Sequence, residues 1–559
     1  MRMECITLFW LEKGSAMKAG RKLASLALCT VMTASLFACN SKGQDVTKPS
    51  GQEYEYNHEL NILDDKYRNY YEVFLYSFCD SNGDGIGDIN GLISKLDYIN
   101  DGNDATDTDL GFTGIWLMPI MPSPSYHKYN VTDYYAIDKQ YGTLDDMKRL
   151  IEECHKRNIK LIIDLVVNHT AKEHPWFQQA TDYLKTLKNT KNPDASNCKY
   201  VSYYNFTREK NKAGYVALSG SDWYYEANFD EGMPDLNLDN KDVRKEIESI
   251  IDYWMELGVD GFRLDGAKEY YSGSTDKNTK MVGYISDYVH KKKEDAYVVA
   301  EAWQDFYTMV KYYRSGVDSL FNFEFSQIDG DIASDLLEAD GKQFAKDMIR
   351  VQSSIHEIND QAIDAEFFTN HDTVRAASAL GYKPEKIKMA AGMTLLCSGT
   401  IFTYYGEEIG MTGSGADPNK RAPMYWNDSG EGMAVGPSEL EQQTKHFESV
   451  EKQMEDPDSI YNYYKRAVRI RNENPEIARG KVALIESVTD QNITAITKTY
   501  NGSKLILLYN LSKETKQVIL SQEEYGYEGI RGYLTANGEK VDLDGENITL
   551  PPYSIAILK

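Results

Sequence analysis

The sequence is short of positive charge: 61 Lys and Arg stand against 86 Asp and Glu in 559 residues, a net charge of −25. Phosphate backbones are bound by basic surface that releases counterions, so this deficit excludes a nucleic-acid binder. It argues equally against docking on anionic lipid through a polybasic face. Cysteine is scarce too. The seven are Cys5, Cys29, Cys39, Cys79, Cys154, Cys198 and Cys397, with no CxxC pair, so a structural zinc site, a thioredoxin-like redox site and a disulfide framework have no support. Beyond the leader no run is long and apolar enough to cross a membrane. What is present is a globular composition, 42% hydrophobic and 26% charged, able to bury one or two large cores. Tyrosine is abundant, 41 against 18 Phe and 7 Trp, rings with a polar edge that suit both ordinary cores and sugar faces.

The leader sets an expectation about compartment. From Met17, the basic residues Lys18, Arg21 and Lys22 precede an apolar run from Leu23 to Leu36 that matches the h-region of an export signal. It ends Leu36-Phe37-Ala38-Cys39, which resembles the lipobox of bacterial lipoproteins, although Phe37 departs from the small residue usual there. The expected organisation is a signal peptide over 1–38 with its start at Met17, then a lipidated tether over 39–57. The mature protein is expected to be exported and held at the cell surface by lipid on Cys39. An ordinary secretory signal that leaves a free cysteine is the alternative.

Short apolar runs bounded by turn residues recur at 71–78, 113–119, 160–167, 259–264, 297–301, 319–325, 365–369 and 400–405. They are continuous rather than alternating, as parallel strands buried on both faces require. Helical patterns lie between them. The clearest are 143–157, with a Thr cap and an acidic first turn, and 240–257, where Val243, Ile247, Ile250, Ile251 and Trp254 recur at helical spacing before Gly258. The pattern predicts an α/β fold, a (β/α)8 TIM barrel over 58–169 and 239–477, with an inserted domain over 170–238 after the third strand. After a helix at about 458–473, alternating runs predict an antiparallel β domain over 478–559.

A barrel places its chemistry at the C-terminal ends of its strands. There the third run ends Asp164-Leu165-Val166-Val167-Asn168-His169, the fourth Gly261-Phe262-Arg263-Leu264-Asp265, the fifth Ala300-Glu301-Ala302-Trp303 and the seventh Thr369-Asn370-His371-Asp372. Carboxylates, histidines and an arginine thus converge on one rim. The segments DLVVNH, GFRLD, EAW and TNHD resemble, in order and separation, the core motifs of the α-amylase family, glycoside hydrolase family 13, and GFTGIWLMPI with YHKYNVTDYY is similar to its second strand and following loop.

The resemblance implies a retaining α-glucan hydrolase. By motif position Asp265 is the expected nucleophile, with Arg263 on the same strand face holding it ionised, and Glu301 the general acid and then base. Asp372 is expected to grip sugar hydroxyls as the ring distorts, helped by His371 and His169, while Tyr129 stacks on the sugar. The loop Asp80-Ser81-Asn82-Gly83-Asp84-Gly85-Ile86-Gly87-Asp88 offers oxygens from Asp80, Asn82, Asp84, the Ile86 carbonyl and Asp88, an expected Ca²⁺ site. Gly91 stands where an EF-hand would have its Glu, so a metal-free turn is the alternative.

Met233-Pro234-Asp235-Leu236-Asn237 resembles the group between oligo-1,6-glucosidases and neopullulanases. Exo-acting relatives place an Asp three residues before the stacking Tyr, where Tyr126 stands here, so its pairing with Arg421 to block the cleft is not expected. The expected substrate is starch or maltooligosaccharide, cut by a monomer at α-1,4 bonds. An α-glucosidase, a neopullulanase-like enzyme, a transglycosylase of the same family and a non-catalytic sugar-binding lipoprotein are the rival readings.

Overall fold

The computed structural model describes residues 56–187, 191–441 and 444–559, so the signal peptide, Cys39 and nearly all of the expected tether lie outside the described residues. Eight parallel strands close into a barrel: β1 (Asn69–Val73), β2 (Gly114–Leu117), β3 (Lys160–Leu165), β4 (Gly261–Leu264), β5 (Tyr297–Ala300), β6 (Ser319–Phe321), β7 (Ile363–Phe367) and β8 (Thr400–Tyr404). Closure is made by β1 against β8, with Tyr70 opposite Phe402. All eight predicted runs overlap a strand, although β1 and β7 each begin two residues before theirs. The first is shorter than expected, because Leu75–Phe78 turns into a helical segment as soon as Val73 has paired.

Aromatic side chains fill the barrel. Tyr70, Trp116, Tyr297, Phe321, Phe323, Phe367 and Phe402 form an inner cluster with Ile162, Val299 and Ala365. Tyr70 lies between Tyr297 (5.3 Å) and Phe402 (5.0 Å). That stack needs Gly114, where a Cβ would come within 2.5 Å of the Tyr70 ring. A second, larger core lies between the strands and the helices outside them.

The helices follow local signals. In α1 (Leu144–Lys156), Thr143 and Asp146 form a capping box, and α2 (Lys241–Leu257) buries the five apolar residues picked out by their spacing before Gly258 closes it at φ 114°. Further along are α3 (Gly341–Ile358), α4 (Pro384–Leu395) and α5 (Ile460–Glu473). The insertion after β3 holds a helix, Pro175–Thr186, and a three-stranded sheet; the bridge His169–Asp235 ties it to the end of β3, and Tyr204–Leu236 is a bridge within it. The C-terminal part is a five-stranded and a three-stranded sheet, both antiparallel. Lys498, on the strand Ile493–Tyr500, is fully buried and donates to the carbonyls of Leu396 and Ile477 at 2.8 Å each. The C-terminal sheet is thereby fastened to the end of α4.

Candidate active site

Alternate residues of a strand share a face, which puts Arg263 and Asp265 on one side of β4, and register sets Asp164 of β3 beside Arg263. The Arg263 guanidinium is the hub. Its Nη1 donates to Asp164 Oδ1 (2.5 Å) and Asp265 Oδ1 (2.6 Å), and its Nη2 to Glu301 Oε2 (2.9 Å). The Gly266 amide donates to the same Glu301 oxygen, and the Trp116 indole to Asp164 Oδ2.

Sequence reasoning assigned Arg263 to Asp265 alone. The structure divides this one cation among three carboxylates, each at least partly starved of charge compensation. Burial pushes Glu301 above the usual carboxylate range, with Arg263 opposing and Asp265 and Asp372 adding to the rise. Burial likewise outweighs Arg263 at Asp265, and it pushes Asp164 up to about 7. At Asp265 burial raises the carboxyl and the Arg263 charge lowers it, so Arg263 both positions the group and favours its ionised form against burial. The cluster retains protons that a surface trio would release, which suits a site that must keep one carboxyl protonated near neutrality.

Asp372 is treated differently. Its Oδ1 accepts from Arg421 Nη2 (2.7 Å), its Oδ2 lies 3.1 Å from His371 Nε2, and its backbone carbonyl accepts from Lys420. His371 Nδ1 in turn donates to Glu72 Oε1 at 2.5 Å. Although burial opposes it, the charges of Asp372 and Glu72 push His371 up to about 10, and burial at Asp372 is overcome by His371 and Arg421, which hold it well below its usual value. Two carboxyl environments are thus driven apart, Asp372 ionised and Glu301 inclined to keep its proton.

Tyr129 links the two halves. Its hydroxyl is 2.9 Å from His371 Nε2 and receives Arg263 Nη1 at 3.3 Å, and its ring stacks on His371. His169 is buried, lies 3.2 Å from the Tyr129 carbonyl through Nε2, and is pushed by burial down to about 4, so it is neutral. All seven residues predicted to react with or bind substrate therefore lie in one connected network.

Sequence reasoning missed Asp164 and Glu72 as members of the site, and Arg421 as the partner of Asp372. A carboxylate inside an otherwise apolar strand was the available signal, since Asp164 and Glu72 are both essentially unexposed. Arg421 also reaches the Tyr126 hydroxyl (3.3 Å).

In the loop after β1, Asp80 accepts from the amides of Asn82, Gly83 and Gly85, while Asp88 accepts from Ser81 and caps the helix Ile89–Ser94 at Gly91. The Asn82 and Asp84 side chains accept from the amides two residues on. The donors are all hard oxygens, and Asp80 Oδ2 and Asp88 Oδ2 each accept a single bond, so lone pairs remain for a cation of the calcium type. Among the described residues no group of three or more His, Cys, Asp or Glu side chains is clustered closely enough to hold a metal by itself. The Asn82 and Ile86 oxygens would be needed.

Carboxylates gathered on one guanidinium at the strand-end rim of a closed (β/α)8 barrel are the arrangement a barrel glycosidase requires. Comparison gives the family. Residues 72–480 match the model of the α-amylase catalytic domain. The chain is 37% identical over 517 residues to α-amylase 3 of Dictyoglomus thermophilum, covering 88% of this chain and 93% of that one. It is 30% identical over 575 residues to the oligo-1,6-glucosidase of Bacillus cereus, covering 88% and 98%. Among solved structures, Eubacterium rectale Amy13B superposes with a TM-score of 0.86 at 46% identity, covering 92% of this chain and 99% of that chain. The chain belongs to the α-amylase family of glycoside hydrolases.

Proposed function

We propose that the protein is a retaining α-glucan hydrolase that cleaves α-1,4 bonds of starch and maltooligosaccharides. The observation that carries this is the seating of Asp265 and Glu301 on the two terminal nitrogens of Arg263. That arrangement supports the short carboxyl separation of a retaining pair, about 5 Å, rather than the wider gap that leaves room for an inverting water. Asp265 attacks the anomeric carbon while Glu301 gives its proton to the departing glycosidic oxygen, forming a glycosyl ester and releasing one sugar chain. Glu301, now ionised, takes a proton from water, which displaces Asp265 and restores both groups. Asp372, kept ionised, accepts hydrogen bonds from ring hydroxyls, and Tyr129 supplies a face for the sugar.

Tyr126 in place of a carboxylate supports a cleft open to longer chains, because Arg421 is committed to Asp372 and meets only a neutral hydroxyl at Tyr126. The similarity to the Bacillus cereus oligo-1,6-glucosidase favours the second reading, an exo-acting or α-1,6-active enzyme. Product analysis on starch, pullulan, maltotriose and isomaltose separates them. Internal cuts in starch are expected; glucose alone, released from chain ends, would favour the second reading, and transfer products would favour a transglycosylase.

The loop over Asp80–Asp88 belongs to the same proposal as a structural Ca²⁺ site using Asp80, Asn82, Asp84, the Ile86 carbonyl and Asp88. A chelator is expected to lower the thermal midpoint and added calcium to restore it; an unchanged midpoint would leave a metal-free turn. Export with lipid on Cys39 completes the reading, and Cys39→Ala is expected to move the enzyme from the membrane fraction to the soluble one.

A further inference from the structure

Strand β1 reads Asn69-Tyr70-Tyr71-Glu72-Val73, and an acid inside a buried parallel strand carries a desolvation cost unless a partner meets it. Glu72 follows Tyr70 by two positions, so it takes the same inner face of the barrel, one layer nearer the rim. Its register partners there are Trp116 of β2 and Tyr404 of β8. The side chain is only 1% exposed, and its Oε1 lies 2.5 Å from His371 Nδ1. Whatever Glu72 does for the reaction, it does through His371.

Both nitrogens of that ring face acids. Nδ1 meets Glu72, while Nε2 stands 3.1 Å from Asp372 Oδ2 and 2.9 Å from the Tyr129 hydroxyl. A neutral imidazole has one N–H and one lone pair, so one nitrogen would turn a lone pair on a carboxylate; an imidazolium donates from both. Tyr129 does not need that lone pair, because its hydroxyl receives Arg263 Nη1 at 3.3 Å and donates to Asp164 Oδ2 at 3.4 Å. The ring is also held in place, stacked on Tyr129 at 5.7 Å and edge-on to Trp116 at 5.6 Å. The charged and titratable groups around it are Glu72 and Tyr404 from β1 and β8, Tyr129 after β2, Asp164 from β3, Arg263 and Asp265 from β4, Asp372 beside it, and Arg421, which donates to its carbonyl. Four carboxylates thus stand against two guanidiniums, a balance that favours a third cation. Burial raises the Glu72 carboxyl, but His371 and Arg263 oppose it, so the proton of the Glu72–His371–Asp372 chain rests on the imidazole.

We propose that Glu72 is a positioning residue for the reaction: from inside the barrel it locks His371 as a donor at both nitrogens, so that a cation and not a neutral imidazole meets the sugar beside Asp372. The proposal rests on the α-glucan reading above. The test follows the imidazole nitrogens of full-length enzyme labelled with ¹⁵N-histidine, the His371 signals among the nine histidines being identified by their loss in His371→Asn. Wild-type His371 is expected to keep both nitrogens in the imidazolium form at about pH 8. Glu72→Gln, which retains an acceptor of the same shape without its charge, is expected to release that proton about one to three pH units lower. In parallel, the ratio of variant to wild-type kcat/KM on a short maltooligosaccharide is expected to fall roughly tenfold between about pH 6 and about pH 9, the worth of one charge-assisted hydrogen bond. A merely structural defect would lower that ratio by the same factor throughout. A neutral His371 in the wild type at about pH 8 would overturn the proposal, and that result needs no variant that folds. So would a flat ratio, or a Glu72→Gln imidazolium that persists as far up in pH as the wild type's. A wild-type enzyme with His371 charged that cleaves no α-glucan would overturn the α-glucan reading instead.

Discussion

Arg263 at the catalytic rim and Arg471 with Lys498 at the opposite side of the barrel are all buried cations, and the protein accommodates them in opposite ways. Arg263 is ringed by carboxylates, which push its guanidinium further up despite its burial. Arg471 donates instead to the carbonyls of Leu395, Cys397 and Gly399, and Lys498 to those of Leu396 and Ile477. Burial, reinforced by the charge of Arg479, pushes Arg471 down to about 9, and burial pushes Lys498 down to about 7, because the groups that accept their hydrogen bonds are neutral carbonyls. Shared carboxylates give a cluster whose protons can be redistributed during a reaction. Carbonyl acceptors give a fastening that does no chemistry. The difference teaches that burial alone does not mark a functional charge; the number of acids competing for it does.

The largest effect belongs to the rim. Asp265→Asn or Glu301→Gln is expected to reduce turnover by roughly 10⁴-fold or more, ~5 kcal/mol of transition-state stabilisation, with circular dichroism unchanged. Near-normal hydrolysis by either variant would remove the catalytic half of the comparison. Next comes Arg263→Met, which strands buried acids and is expected to destabilise the fold by about 3–5 kcal/mol in denaturant titrations as well as abolishing activity.

The pH response sharpens the contrast further. His371 titrates at about 10 in the fold against about 6.5 unfolded, so its contribution is fully present below about 6.5 and is lost as pH rises through about 10. Thermal midpoints of His371→Asn are therefore expected to fall less steeply over that window than those of the wild type. With its imidazolium gone, Asp372 loses a partner and its pKa rises, so the acid limb of the activity profile moves to higher pH. Lys498→Met should show the smallest effect, a loss of about 1–3 kcal/mol from carbonyls left without donors, with kcat unchanged. Its sign with pH is the reverse of His371. A lysine depressed to about 7 costs stability below that value and regains it as pH rises toward about 10.5, and the Met variant would lack that recovery.

Much of this was legible before any coordinates. Asp265, Glu301, His371 and Asp372 finish apolar runs, and the barrel rule alone sends such residues to one rim. Capping at Thr143 and the stripe on α2 are local, and local signals survive folding unchanged. The partners were hidden for a physical reason. Glu72 reaches His371 across 299 residues, and Tyr126 reaches Arg421 across 295, distances over which periodicity carries no information. Lys498 sits in an alternating strand and reads as a solvent-facing position, yet it is fully buried, because strand pattern gives the face of a residue and not what packs on that face.

Closure of β1 on β8 carries a consequence for the life of the chain. During synthesis the segment that bears Glu72 emerges long before the one that bears His371, and Arg421 comes later still. The ion pairs that set Asp372 cannot form until nearly the whole barrel has been made and its first and last strands have met. A nascent chain therefore contains Asp265 and Glu301 without a working cleft, and the complete site would arrive late, in a single step with ring closure.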